Sequence, residues 1–102
     1  MGARKIIWSK KTTEQLDEIL TYYLERNGNN IFSSKLYKQI IKSTKILSKQ
    51  PYLGKQSEDK NLRILNIDVY LIFYEILENH IEILIVWDGR RNPEELNKLL
   101  TN

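Results

Sequence analysis

The sequence LRILNIDVYLIFYEILENHIEILIVWDGRR, residues 62–91, decides the fold class of this 102-residue chain. Three short runs of β-branched, aromatic and large aliphatic side chains lie within it, at residues 62–65, 69–77 and 81–87. Runs of this length and composition are typical of strands rather than helices. The polar interruptions between them are short enough for tight antiparallel connections. The stretch therefore predicts a three-stranded meander.

The residues before the meander predict one short strand and two helices. Residues 6–8 form an apolar run of strand type, and Thr12 and Gln15 have the spacing of a capping box at the start of the first helix. Apolar side chains then recur at the spacing of one helix face, at Leu16, Ile19, Leu20, Tyr23 and Leu24. The second helix is expected from about residue 31 to residue 49, because Pro51 disfavours its continuation.

The residues after the meander predict a short C-terminal helix over residues 94–100, with Pro93 at its first position and Asn92 as its cap. The full order is strand, helix, helix, three strands and short helix. This order indicates a single α+β domain over residues 1–102, in which an N-terminal strand and an αα-hairpin pack on a mainly antiparallel sheet.

Both faces of the predicted sheet are apolar. On the middle strand Tyr70, Ile72 and Tyr74 alternate with Leu71 and Phe73, so the two sets point to opposite faces. On the last strand the same rule places two further sets on opposite faces of the sheet. One set is Ile81, Ile83, Ile85 and Trp87, and the other is Glu82, Leu84, Val86 and Asp88. Two helices cover one face only, so we expect Leu71 and Phe73 on a partner surface. The alternative is that the chain termini cover the second face.

Charge and composition exclude several classes of site. The chain has no cysteine and a single histidine, His80, which excludes disulfides, thiolate chemistry and cysteine-based or histidine-rich metal sites. No apolar run is long enough to be a secretory signal or a membrane span, so a cytoplasmic location and no membrane contact are expected. The net charge is +3, and residues 31–50 contain basic but no acidic residues: Lys35, Lys38, Lys42, Lys45 and Lys49. This stripe either follows a nucleic-acid backbone or is a solvated face that neutralises the acidic first helix.

Several residues in this order resemble the RelE/ParE superfamily. They are Pro51 and Gly54 in a P-x-x-G, the Arg63 strand, the segment YLIFYEI at residues 70–76 and the segment VWDGRRNP at residues 86–93. These proteins are toxins of type II toxin–antitoxin systems, often called plasmid stabilisation proteins. The resemblance implies a growth-arresting toxin that a cognate antitoxin neutralises, forming a toxin–antitoxin hetero-oligomer, with no cofactor and no metal.

The resemblance also indicates site residues. Arg90 and Arg91 match the basic position after the last strand, and Arg63 lies on a strand where RelE-like members place basic residues. The position that is arginine in RelE-like nucleases corresponds to Leu71, and residues 92–102 contain no tyrosine or histidine. We therefore expect a ParE-like toxin that binds a protein target such as DNA gyrase through Arg63, Arg90 and Arg91. The alternative for the two adjacent arginines is a solvated strand end that pairs with Asp88 or Glu94.

Two further functions stay open. The first is a RelE-like, ribosome-dependent mRNA endoribonuclease that uses Arg63, Arg90 and Arg91 without a metal. The second is a degenerate, non-toxic member that keeps only its antitoxin-binding surface, for which Leu71 and Phe73 are the candidates.

Overall fold

The computed structural model describes residues 3–58 and 61–101. In chain order its elements are β1 (Lys5–Trp8), α1 (Lys10–Asn27), α2 (Ile31–Ile46), β2 (Lys55–Gln56), β3 (Arg63–Ile67), β4 (Tyr70–Ile76), β5 (His80–Asp88) and α3 (Pro93–Thr101). The strands form one sheet in the order β1-β5-β4-β3-β2, in which β1 is parallel to β5 and the other pairs are antiparallel. The predicted α+β architecture is confirmed. None of the helices in the described residues is both long enough and apolar enough to cross a bilayer.

The sheet has one strand that the sequence did not predict. Residues 55 and 56 pair with β3 as the short edge strand β2, between the second helix and the meander, where no strand was predicted. Both residues are exposed and polar, so no apolar alternation marks them. Their pairing depends on the loop before them, which the Tyr74 hydroxyl holds by donating to the carbonyl of Pro51 and accepting from the N–H of Gly54, both at 2.8 Å.

The start of α1 differs from the predicted capping box. Ser9 is the N-cap, because its extended backbone lets its hydroxyl accept from the N–H of Thr12 at 3.1 Å. The hydroxyl of Thr12 donates instead to the carbonyl of Ile83 at 2.9 Å, and the side chain of Gln15 accepts from the N–H of Val86 at 3.0 Å. The assignment of Thr12 and Gln15 to a capping box is therefore wrong. Both side chains fasten α1 to the main chain of β5.

A β-bulge in β5 reverses the predicted facing of its second half. Tyr74 pairs with Ile83 and Phe73 with Ile85, so Leu84 is an extra residue opposite β4. An extra residue shifts the two-residue alternation by one, and every later side chain changes face. The predicted parity holds for Ile81 and Ile83 and is wrong beyond Leu84, where the helix-facing side chains are those of Val86 and Asp88.

Two apolar clusters lie on the two sides of the sheet. The larger one, under α1 and α2, includes Tyr70, Ile72 and Tyr74, as the alternation on β4 predicts. The smaller one contains Phe73, Ile85 and Trp87, with the leucines of α3 packed against it. Phe73 is only 3% exposed. The C-terminal helix therefore covers this face, as the alternative predicts, and the expectation that Phe73 is exposed on a partner surface is wrong.

The helix that covers the second face forms where the sequence predicts it. Asn92 caps it, since its side-chain oxygen accepts from the N–H of Glu94 at 3.0 Å, and Pro93 is its first residue. Leu96, Leu99 and Leu100 lie on its sheet-facing side. One turn of leucines at helical spacing is enough to bury a small cluster of three large side chains, which explains why so short a segment suffices.

Candidate target-binding groove

A groove of about 710 Å³ lies between α1, the end of β5 and α3. We call it the α1–α3 groove. Its buried wall includes Val86 and Trp87. Four cationic side chains line it, those of Arg26, Arg90, Arg91 and Lys98. The carboxylates that line it are those of Glu18, Asp88 and Glu95. The groove thus combines an apolar wall with a margin of both charges, in which the cations exceed the carboxylates by one.

Tyr23 on α1 is the centre of a hydrogen-bond network in this groove. Its hydroxyl accepts from the hydroxyl of Tyr70 at 3.2 Å and from Nη2 of Arg90 at 3.0 Å. Its ring packs edge-on against Tyr22 at 5.1 Å and against Phe32 at 4.6 Å between centroids. Two incoming donors occupy the oxygen, so the proton of Tyr23 is available for donation to a bound partner.

The same network shifts two phenol pKa values in opposite directions. The hydrogen bond from Tyr70, followed by that from Arg90, lowers the pKa of Tyr23 below its ordinary value of 10.0, because both donors stabilise the phenolate. Burial, followed by the hydrogen bond to Tyr23, raises the pKa of Tyr70. Tyr23 is therefore the more acidic member of the pair.

Asp88 fixes Arg90 in place. Nε and Nη2 of Arg90 donate to the two carboxylate oxygens of Asp88 at 2.9 and 2.8 Å, and the main-chain N–H of Arg90 adds a third bond at 2.9 Å. The hydrogen bond from the Arg90 side chain holds the pKa of the Asp88 carboxyl below its usual value. The pairing with Asp88 expected for a solvated strand end is present. The same guanidinium also reaches Tyr23, and its side chain remains 58% exposed.

Arg91 is held differently. Its guanidinium carbon lies 4.6 Å from the centre of the Trp87 ring, and its Nη2 atom donates to Glu95 of α3 at 2.9 Å. Glu95, rather than the predicted Glu94, is its carboxylate partner, four residues further on in the first turn of α3. The side chain is 57% exposed. Arg90 and Arg91 therefore present two oriented guanidinium groups at the same end of β5.

Gly89 makes the close approach of this turn possible. Its N–H donates to the carbonyl of Val69 at 2.8 Å. A Cβ atom at this position would lie 2.8 Å from that same carbonyl oxygen, closer than carbon and oxygen tolerate. The glycine thus lets the chain turn tightly against β4 and deliver Arg90 toward α1.

The structure does not bring Arg63 into the groove. Arg63 pairs with Tyr74, four residues along β4 from Tyr70, which is roughly 13 Å along the strand. Its guanidinium donates to the carbonyls of Gly54 and Tyr52 at 3.0 and 3.3 Å and lies 5.2 Å from the centre of the Tyr52 ring. Of the three arginines expected to act together, only Arg90 and Arg91 share a site.

Tyr23 and Tyr70 are groove residues that the sequence did not single out, and it named Asp88 only as a possible partner of the two arginines. The apolar spacing of α1 placed Tyr23 among core positions, and regular alternation placed Asp88 on the other face of the sheet. A half-buried tyrosine hydroxyl requires a hydrogen-bond partner, and this requirement is the signal in the sequence that points to Tyr23. The bulge at Leu84, which brings Asp88 to the helix side, has no comparable signal.

His80 plays no part in the groove. It is the first residue of β5, where Nε2 lies 3.7 Å from Glu82. Among the described residues, histidines and carboxylates form no group of three that could hold a metal ion.

Comparison with known proteins agrees with this architecture. The family described as ParE toxin of type II toxin–antitoxin system, parDE, matches residues 6–93. A structure from the chromosomal ParDE toxin–antitoxin system of P. aeruginosa is similar in fold, with a TM-score of 0.72 at 22% identity over 82% of this chain and 94% of that one. No curated protein matches the chain. The family match includes both strands and the helix that supply Tyr23, Tyr70, Asp88, Arg90 and Arg91.

Proposed function

Because this chain belongs to the ParE toxin family of type II toxin–antitoxin systems, we propose that it inhibits a protein target such as DNA gyrase through the α1–α3 groove. The observation that carries the proposal is the composition of the groove. Tyrosine, tryptophan and arginine dominate the energetics of protein–protein interfaces. Tyr23, Trp87, Arg90 and Arg91 lie together here, and each is oriented by a neighbouring side chain.

The arrangement of the two arginines supports a protein target. Asp88 and Tyr23 hold one guanidinium, while Trp87 and Glu95 hold the other. Side chains that are already ordered lose little conformational entropy on binding. Both groups remain more than half exposed, so each keeps N–H donors for a carboxylate or carbonyl of the target.

Three features disfavour the RelE-like alternative. Leu71 occupies the position where the resemblance calls for an arginine, and residues 92–102 supply neither tyrosine nor histidine. The guanidinium of Arg63 is engaged by the carbonyls of Gly54 and Tyr52. Of the three arginines predicted for the nuclease site, Arg90 and Arg91 then remain to stabilise the charge of a phosphodiester under attack.

A toxin of this family has an antitoxin as its partner. We infer that the antitoxin contacts the sheet face that carries Leu71 and Phe73. This keeps the sequence-based prediction for Leu71 and limits it for Phe73. Leu71 is half-buried at the border of the smaller apolar cluster, whereas Phe73 is 3% exposed beneath α3. A partner reaches Leu71 directly. It reaches Phe73 only if α3 moves away.

A supercoiling assay with purified DNA gyrase tests the target. The wild-type protein is expected to inhibit the enzyme, and the double variant Arg90→Gln, Arg91→Gln to inhibit it at least about 30-fold less strongly, as for the loss of an interface hot spot. The double variant Lys10→Gln, Lys11→Gln is the matched control. It removes the same charge from exposed positions outside the groove.

Expression without an antitoxin separates the remaining functions. Growth arrest with an SOS response and cleaved DNA supports gyrase as the target. New codon-associated 5′ ends in primer extension on cellular mRNA would establish the nuclease instead. Normal growth in the presence of folded protein would identify a degenerate member that retains only antitoxin binding.

A further inference from the structure

A row of lysines runs along the outer side of α2. The row consists of Lys35, Lys38, Lys42, Lys45 and Lys49, and we call it the lysine face. All five side chains are exposed. The residues that α2 buries, Ser33, Leu36, Ile40 and Thr44, recur at the same three- and four-residue spacing on the opposite side of the helix. The lysine face therefore points away from the core along the whole helix and the turn that follows it.

A basic groove extends the lysine face toward β1. It has a volume of about 570 Å³ and is lined by four cations, Arg4, Lys5, Lys45 and Lys49. Its shape is fixed by two hydrogen bonds between Arg4 and Ser48. The main-chain N–H of Arg4 donates to the carbonyl of Ser48 at 3.0 Å, and the hydroxyl of Ser48 donates to the carbonyl of Arg4 at 2.6 Å. Seven cationic side chains thus lie on one continuous surface.

No carboxylate within residues 3–58 and 61–101 compensates this charge by an ion pair. The ion pairs of His80 with Glu82, Arg90 with Asp88 and Arg91 with Glu95 involve none of these seven cations. The alternative in which the lysines neutralise the acidic residues of α1 therefore involves no ion pair between these side chains. The lysine face therefore retains a positive field, which attracts polyanions.

The chemistry of the surface favours phosphate over carboxylate partners. Lysine is depleted at protein–protein interfaces, where arginine and aromatic residues are preferred. It binds phosphate as a compact point charge. Single-stranded nucleic acids require aromatic side chains on which the bases stack. The exposed ring of Tyr37 lies about 100° around the helix from Lys38, outside the lysine face.

We propose that the lysine face and its adjoining basic groove bind the phosphate backbone of duplex nucleic acid. From Lys35 to Lys45 the helix extends for about 15 Å, and Lys49 lies in the turn that follows it. A duplex presents roughly nine phosphate charges along 15 Å. Contacts of this kind are independent of base sequence. The proposal does not depend on the α1–α3 groove or on its target, since the two surfaces share no residue.

Fluorescence anisotropy with labelled 30-base-pair duplexes tests the proposal. One arm uses DNA and the other RNA, each titrated between 50 and 200 mM salt. The logarithm of the association constant should fall linearly with the logarithm of salt concentration, by about 0.9 for each phosphate contact. The variant Lys38→Gln, Lys42→Gln, Lys45→Gln should reduce that slope by about 2–3. Binding of either duplex with this behaviour supports the proposal, and the arm that binds identifies the nucleic acid.

Two further variants control for total charge. Lys10→Gln, Lys11→Gln, Lys55→Gln removes the same charge from exposed positions outside both grooves and should leave the slope unchanged. Lys38→Arg, Lys42→Arg, Lys45→Arg keeps the charge and should retain the binding. Three results would overturn the proposal. The first is no binding at 50 mM salt, and the second is an equal loss of binding in both glutamine variants. The third is that polyglutamate displaces the labelled duplex as effectively as unlabelled duplex does. The last result would assign the surface to an acidic protein.

Discussion

Nη2 of Arg90 lies 3.0 Å from the hydroxyl oxygen of Tyr23, although the two residues are 67 positions apart in the chain. This contact joins the strand-end turn to α1, and the hydroxyl of Tyr70 completes it from β4. Three elements therefore meet at one oxygen atom. The orientation of the exposed arginine depends on the tertiary structure as well as on its own turn, and each contributing side chain can be tested.

We expect Tyr70→Phe to raise the pKa of Tyr23 toward its ordinary value of 10.0. The hydrogen bond from Tyr70 is the largest cause of the lowered pKa, and phenylalanine removes the donor while keeping the ring. Titration of ¹³Cζ-labelled tyrosines by NMR measures the change. Tyr52→Phe, at an exposed tyrosine outside the network, is the control. An unchanged Tyr23 titration in the Tyr70 variant would show that the two hydroxyls do not interact in solution.

Asp88→Asn should destabilise the protein at neutral pH and destabilise it by a smaller amount in acid. The folded protein holds the pKa of Asp88 below its unfolded value of 3.8, so the unfolded state takes up a proton first as the pH falls. The stability that ionised Asp88 contributes is fully present above its unfolded pKa. It is lost as the pH falls through the pKa of Asp88 in the folded protein. Urea unfolding at pH 7, 5 and 3 should show a difference between wild type and variant that is constant between pH 7 and 5 and smaller at pH 3. A difference that grows in acid would contradict the assigned ion pair.

Phe73→Ala should lower the free energy of unfolding by about 3–5 kcal/mol, because it leaves a cavity between the sheet and α3. The double change of Leu71 and Phe73 to aspartate is expected to unfold the domain, because it places a charge at the buried position of Phe73 and another at the border of the same cluster. Ile31→Ala, at a side chain that is 74% exposed, should change stability by no more than about 0.5 kcal/mol. Chemical denaturation measures all three. A Phe73→Ala protein as stable as wild type would mean that α3 does not cover this face.

Thr12→Val should destabilise the protein by about 1–3 kcal/mol, because it removes a buried donor from the carbonyl of Ile83 while preserving side-chain volume. Thr13→Val is the matched control, since that neighbouring threonine is exposed and its hydroxyl donates to the carbonyl of Ser9, the N-cap of its own helix, rather than to β5. Thermal unfolding of the two variants gives the comparison. Equal effects would show that the contact between α1 and β5 contributes no specific stability.

The sequence by itself determined the order of the elements apart from β2, the α+β class, the alternation on β4 and the capped C-terminal helix. These follow from local causes: apolar periodicity, composition of the strands, and the paired signals of Asn92 and Pro93. The family resemblance likewise depended on local motifs, and the family match agrees with it. Arg90 and Arg91 could be singled out because they directly follow a strand.

The tertiary structure alone decided which residues surround those arginines. One extra residue, Leu84, rotates the second half of β5, so that Asp88 meets Arg90 and Tyr23 on the helix side while Trp87 lies beneath Arg91. Two main-chain groups beside the bulge form hydrogen bonds with the side chains of Thr12 and Gln15, which lie more than seventy residues earlier in the chain. A contact at that separation leaves no periodic trace in the sequence. For the same reason, whether a nine-residue helix covers Phe73 depends on where the sheet places its second apolar face.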